Sequence, residues 1–329
     1  MTNPILDLSQ FRTIFNRYFD AYIEKKMITS VPQHIQSIFS HIKKLSTDGK
    51  RLRPYMAYLG FRIYCNDEKQ IFEKLICIEL FHFYALIHDD IIDNASTRHG
   101  VATIGCAYPA PGHAPAFALL VGDYILSCAY FEATKSFPEQ TQELGLREFA
   151  TMAEEVIYGQ MIDVSLSGTW NASEEILEQK NMLKTASYTF THPLLLGIAM
   201  SGSQLNDEVR KWLTDVGALL GRAFQMQDDI GDIENDAREG QPTLLTNFLY
   251  QHGTPQQKIL FKKMFGSKEI TQKDKVGPVE IMTVSGAVAF AQDYVTARLQ
   301  AVTLSLGQAP ISVVAKTAFT GVIELVAAL

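Results

Sequence analysis

The fold turns on LICIELFHFYALIHDDIID, residues 75–93. Its apolar positions run from Leu75 to Ile92 and are interrupted by Glu79, His82 and His88 before the acids begin. A membrane span needs about 20 consecutive, predominantly apolar residues, so this shorter and broken stretch reads as a buried helix. No uninterrupted apolar run of that length occurs elsewhere in the chain. The helix ends in three carboxylates, Asp89, Asp90 and Asp93, and Arg98 follows shortly after. Acid this dense is costly to bury unless a cation pairs with it.

Working outward, most of the 329 residues keep a helical period. In 205–227, Leu205, Val209, Trp212, Val216, Leu219, Leu220 and Ala223 recur every three or four positions, as one face of a helix requires. Segments 9–28, 30–46, 53–66, 70–93, 116–136, 146–166, 173–199 and 284–304 read likewise, and two-residue alternation is scarce. The breaks are short: STDGK (46–50), SGTWNASEE (167–175) and REGQPT (238–243). The longest, RHGVATIGCAYPAPGHAP (98–115), is rich in Gly and Pro. With no linker, low-complexity tract or fixed-period repeat, the sequence predicts one all-α domain over 1–329, a single large helical bundle.

Composition narrows the function classes. Apolar residues make up 47% and charged residues 20%, enough for a large core. A net charge of −7 argues against wholesale binding to nucleic acid. The four cysteines show no CxxC spacing, so reduced thiols are expected and not a zinc site or disulfide framework. The N-terminal MTNPILDLSQFRTIF lacks a basic region followed by an apolar one, so no signal peptide is expected, and no transmembrane segment either. A cytoplasmic location is the simplest expectation.

A second acidic cluster repeats the first. FQMQDDIGDIEND (224–236) again closes an apolar helix with DDxxD: Asp228, Asp229 and Asp232. Residues four apart share a helix face, so Asp89 with Asp93, and Asp228 with Asp232, each present two carboxylates in one direction. Oxygen-only clusters of this kind suit Mg²⁺, a hard ion held by one or two carboxylates plus substrate phosphate. Cations stand where an anion needs them. GKRLRP (49–54) puts Lys50, Arg51 and Arg53 at a helix start, and Lys184-Thr185 lie on a mostly apolar helix. Singly, each feature also reads blandly, as a solvated acidic helix end, a basic loop or a snorkelling lysine. Together they describe a site for an amphiphile with a phosphate head and an apolar tail.

At this point the chain resembles the trans-isoprenyl diphosphate synthases, the polyprenyl synthetase family. Both aspartate clusters, GKRLRP, GDYIL (122–126), GQMID (159–163), KT (184–185), FQ (224–225) and REG followed by TLL (238–245) stand in that family's order. The resemblance implies an isoprenoid-synthase-type bundle with a central apolar cavity, acting as a homodimer. It implies that Asp89 and Asp93, with Asp90 in the same metal set, and Asp228 and Asp232 hold about three Mg²⁺ ions on an allylic diphosphate. Arg98 and Lys184 would contact that diphosphate. Lys50, Arg53 and His82 would hold isopentenyl diphosphate, and Thr185 and Gln225 would line the route of the carbocation.

Three departures from the family pattern remove positive charge. His99 stands where the family has a second Arg, Gln241 replaces the Lys after Arg-Glu-Gly, and the loop between Asp228 and Asp236 is short and lacks its Gly-Lys. A different acceptor, cyclisation, or a weakly active regulatory partner of a heteromeric synthase therefore stand beside chain elongation. For product length the resemblance points to C20, with C15 as the alternative. It makes Tyr84, five residues before Asp89, the floor of the tail tunnel. Helix geometry alone puts Ala85 about 40° and Tyr84 about 140° from the Asp89 direction.

Overall fold

Phe11, Phe15, Phe19 and Ile23 recur at four-residue intervals, which on a helix aligns them on one face, and all four are buried. They open a chain of helices. The computed structural model describes residues 4–29, 32–47, 49–107, 112–267 and 277–329, without the side chains of 27–29, 34 and 39. Positions 48 and 108–111 of the predicted breaks, and 30–31 of a predicted helix, lie outside the described residues.

The helices are α1 (Leu8–Thr29), α2 (Gln36–Ser46), α3 (Leu52–Tyr64), α4 (Ile71–Lys74), α5 (Ile76–Ile92), α6 (Ile104–Ala107), α7 (Ala114–Ser136), α8 (Gln142–Leu166), α9 (Glu174–Asn181) and α10 (His192–Met200). Then come α11 (Asp207–Gly231), α12 (Ile233–Glu239), α13 (Leu244–His252), α14 (Pro255–Met264), α15 (Pro278–Val284), α16 (Ala287–Gly307) and α17 (Val313–Ala327). Between α9 and α10 the helix widens to a π-helix over Met182–Thr191. Among the described residues the only strands are β1 (Thr97–Arg98) and β2 (Val101–Ala102), an antiparallel pair. The fold is all-α, as predicted.

The elements gather in two compact units: Met1–Phe149 with Pro193–Leu205, and Ala150–His192 with Asn206–Leu329. In the first, the α1 phenylalanines stack on one another, Phe19 stacks on Phe83, and Phe11 packs at a tilt against Tyr55, Tyr58 and Phe72. Helix α5 lies against α7 and is buried along most of its length. In the second, α11 packs on the π-helix and on α16. Among the described residues, α7 is the helix whose length and hydropathy reach those of a membrane span. Only 33% of its most apolar window is buried, and it carries Asp123, Glu132 and Lys135.

Two glycines set a backbone-to-backbone contact in the first unit. A Cβ on Gly197 of α10 would sit 1.9 Å from the Ala57 carbonyl oxygen of α3, and one on Gly60 of α3 would sit 2.1 Å from the Leu194 carbonyl oxygen. Neither neighbour can yield without moving a helix. Gly197→Val should therefore destabilise by at least about 1–3 kcal/mol, the usual cost of overpacking. A thermal melt checks this, and an unchanged midpoint would mean that the two helices do not touch there.

Candidate functional site

Each acidic cluster stands at the C-terminal end of its helix, with Asp93 capping α5 and Asp232 capping α11. Partial negative charge already collects at that end, which favours cations, so carboxylates there raise the demand for positive charge. In the first cluster the protein turns one acid inward. Asp90 is buried, and Arg98 donates to its Oδ1 from Nε at 2.9 Å and from Nη2 at 2.8 Å. Burial raises the Asp90 carboxyl above its ordinary range, against the opposing pull of Arg98. Asp89 is partly exposed, with Oδ2 3.6 Å from Arg98 Nη2, and Asp93 is exposed.

A two-residue hairpin delivers Arg98. Arg98 pairs with Val101 across a turn made of His99 and Gly100, both with positive φ, 50° and 76°. Positive φ at both central residues is what a type I′ hairpin demands; Gly meets it without strain and His more readily than most side chains. His99 is thus an exposed turn residue.

The three cations of GKRLRP part company. Arg51 is buried, ion-paired with Glu79, and donates to Asn16 Oδ1 at 2.8 Å and to the Ser46 carbonyl at 2.5 Å. Lys50 is exposed. Arg53 brings Nη1 to 3.4 Å from His82 Nε2. Burial, and then the charges of Arg53, Arg98 and Arg51, hold His82 well below the usual imidazole range, so its ring is neutral at pH 7. Further along α5, the buried Tyr84 ring packs against Phe81 and, edge-on at 4.6 Å, against His88. Gly122 of GDYIL makes room for that histidine, since a Cβ there would meet its ring at 2.3 Å.

The second unit repeats the arrangement with different partners. Asp228 and Asp232 are exposed, while Asp229 is buried and accepts from Gln225 Nε2 at 2.6 Å. Burial pushes Asp229 up to about 6, with Asp228 and Asp163 adding to the shift and Lys180 and Gln225 opposing it. Burial, with Asp229 and Asp232, pushes Asp236 up to about 9. Lys184 Nζ lies 2.5 Å from Asp163 Oδ2, and Lys180 Nζ lies 3.1 Å from Oδ1 of the same residue. Lys184 and the buried Thr185 ride on the π-helix, which glycines clasp on two sides. A Cβ on Gly159 of α8 would sit 2.4 Å from Lys184 N, one on Gly221 of α11 2.3 Å from Ala186 Cα, and one on Gly217 2.4 Å from Thr191 Oγ1.

Sequence reasoning missed the roles of Asp163 and Lys180. The signal available for Lys180 was its spacing, one turn before Lys184 on the same helix face. Among the described residues no three His, Cys, Asp or Glu side chains converge as a ready-made metal site. Two outward carboxylates per cluster still fit Mg²⁺, which keeps several waters and takes only one or two carboxylates with substrate phosphate. The buried Asp229 Oδ2, which has no hydrogen-bond partner among the described residues, fits a cluster short of positive charge.

The profile of the polyprenyl synthetase family matches residues 32–282. A geranylgeranyl diphosphate synthase from Saccharolobus solfataricus is 31% identical over 248 residues, 71% of this chain and 72% of the relative. An octaprenyl diphosphate synthase from Escherichia coli is 30% identical over 227 residues, 65% of this chain and 66% of the relative. A geranylgeranyl pyrophosphate synthase from Corynebacterium glutamicum, crystallised with isoprenyl diphosphate and magnesium, superposes with a TM-score of 0.89 at 23% identity, covering 98% of this chain and 99% of the other.

The Asp163 pair gives a pH prediction. Burial alone raises this carboxyl, but the charges and hydrogen bonds of Lys180 and Lys184 outweigh it and hold the group below its ordinary value. A depressed carboxyl contributes stability above its unfolded pKa of about 3.9, and that stability is lost as pH falls through the lower folded value. Asp163→Asn should lower the melting temperature at pH 7 and flatten the fall in melting temperature below pH 4. Parallel curves for the two proteins would refute the pairing.

Proposed function

The chain belongs to the polyprenyl synthetase family, and from that premise we propose that it joins isopentenyl diphosphate head to tail to an allylic diphosphate, with a C20 product. It is a prenyltransferase. The observation that carries the reading is the pair of DDxxD helix ends, each with its first and last aspartates outward and the middle one drawn in. Magnesium, about three ions per active site, neutralises charge on the leaving diphosphate when bound.

The chain's own residues do the rest. Arg98 and Lys184 bind the allylic diphosphate and stabilise it as the C–O bond breaks and the electron pair departs with it. Lys50, Arg53 and the neutral His82 hold isopentenyl diphosphate; a neutral imidazole beside Arg53 adds no repulsion. The isopentenyl double bond attacks the allylic carbon, and the proton then lost passes to the released diphosphate. Thr185 and Gln225 flank the cation with oxygens and no nucleophile stronger than a hydroxyl or amide. Tyr84, braced by Phe81 and His88, stops the growing tail. The exposed apolar side chains Leu119, Leu120 and Phe131 of α7 support a homodimer that covers them.

Incubation with Mg²⁺, radiolabelled isopentenyl diphosphate and each allylic diphosphate from C5 to C20 tests the activity, and the absence of any extended product would overturn it. Asp89→Ala and Asp228→Ala should each lower turnover by about 10²-fold or more, as loss of a major electrostatic element does, while the circular dichroism spectrum persists. Tyr84→Ala should lengthen the main product by one or more five-carbon units; an unchanged distribution at intact activity would put the floor elsewhere. Leu120→Glu should shift the sedimentation of the protein from dimer to monomer, and a wild-type monomer would remove the dimer reading.

A further inference from the structure

Arg51 is the one cation of GKRLRP with no part in the chemistry above, and it is buried. Each nitrogen of its guanidinium has a partner, and the partners come from three helices. Nε donates to Asn16 Oδ1 of α1 at 2.8 Å, Nη2 to the Ser46 carbonyl at the end of α2 at 2.5 Å, and Nη1 to Glu79 Oε1 of α5. Its Cζ stands 5.2 Å from the centre of the Phe19 ring. Arg51 is also the N-cap of α3, at φ 55° and ψ 28°, the left-handed region that side chains other than Gly seldom enter. Such a conformation persists only where the surroundings over-determine it.

The neighbours of Arg51 are fixed by the same contacts. A Cβ on Gly49 would lie 2.7 Å from Arg51 Nη1, so the guanidinium folds back over a position where only Gly leaves room. The Gly49 N–H donates at 3.3 Å to the Ser46 carbonyl that Arg51 also holds. Lys50 is therefore bracketed by two residues tied to one oxygen. Arg53 follows in the first turn of α3, with Nη1 3.4 Å from His82 Nε2, and His82 comes one turn after Glu79 on α5. The geometry points to Arg51 and Glu79 as positioning residues for isopentenyl diphosphate: their buried pair fixes the turn from which Lys50 and Arg53 reach the diphosphate. The inference rests on the reading that Lys50, Arg53 and His82 hold that substrate. Neither member of the pair touches it. Loosening the turn misplaces two ligands of one substrate and leaves the allylic site, held by other residues, as it was.

The test is steady-state kinetics of the full chain with Mg²⁺ and both diphosphates, alongside thermal melting. Removing Arg51 alone would strand a buried carboxylate whose Oε2 already has no hydrogen-bond partner among the described residues, so both charges are removed together. Arg51→Met with Glu79→Met leaves the net charge unchanged, and apolar replacement of a buried ion pair often preserves stability. The double variant should melt near the wild type, with KM for isopentenyl diphosphate raised about tenfold or more and kcat and the allylic KM within about twofold. A purely structural pair predicts that this KM recovers with the melting temperature. A double variant that melts and binds like the wild type therefore overturns the inference, as does a loss spread equally over kcat and both KM values. If the double variant does not fold, Gly49→Ala takes its place. It keeps every charge and pushes the guanidinium from its seat, so it should raise the same KM, and an unmoved value overturns the inference. Lys50→Ala and Arg53→Ala test the reading beneath it. If neither raises KM for isopentenyl diphosphate, that reading fails and the inference with it. If they raise it and the folded double variant does not, the inference alone fails.

Discussion

Two adjacent carboxylates at the C-terminal end of a helix repel each other and the last turn's carbonyls alike. The protein meets this constraint twice in the same way. The middle aspartate of each DDxxD goes inward to a donor fixed by the fold, a guanidinium for Asp90 and a side-chain amide for Asp229. The outer two stay toward solvent. Much of the surrounding structure serves that division. The hairpin with its two positive-φ residues exists to return Arg98 to the helix it has just left. Gln225 sits one turn before Asp229 on its own helix, so that bond requires no tertiary contact at all.

The two inward acids are not equivalent. Asp90 meets a full positive charge at two short distances, whereas Asp229 accepts from a neutral amide and keeps one buried oxygen with no hydrogen-bond partner among the described residues. Burial is the main cause of the upward shift at Asp229 and at Asp236, with neighbouring carboxylates adding to it and Lys180 opposing it.

What was legible in the sequence was local. Helical period exposed α1, α5, α7, α8 and α11, and i, i+4 spacing separated the outer aspartates from the middle one, because both depend on 3.6 residues per turn and nothing distant. What was not legible depended on partners far along the chain. GKRLRP gives no sign that Arg51 turns into the core, because the reason is Glu79 in a later helix. The hairpin at 97–102 hid inside a Gly- and Pro-rich break, since two-residue strands leave no alternation to detect. The segment 173–199 read as one continuous helix because a π-turn changes hydrogen bonding and leaves composition alone. Asp163 stood in a motif but had no partner until the fold brought Lys180 and Lys184 to it.

The widened helix over Met182–Thr191 is locked by glycine contacts at Lys184, Ala186 and Thr191. A π-turn holds one more residue than an α-turn for the same contour of packing. Deleting a single residue between 182 and 191 would let the segment relax toward α-helix with its flanks in phase, while the residues within it would shift by one position against the glycines that hold them. In this stretch the number of residues is therefore under tighter constraint than their identity: substitutions spread their cost over neighbours, while a change in length misdirects a cation.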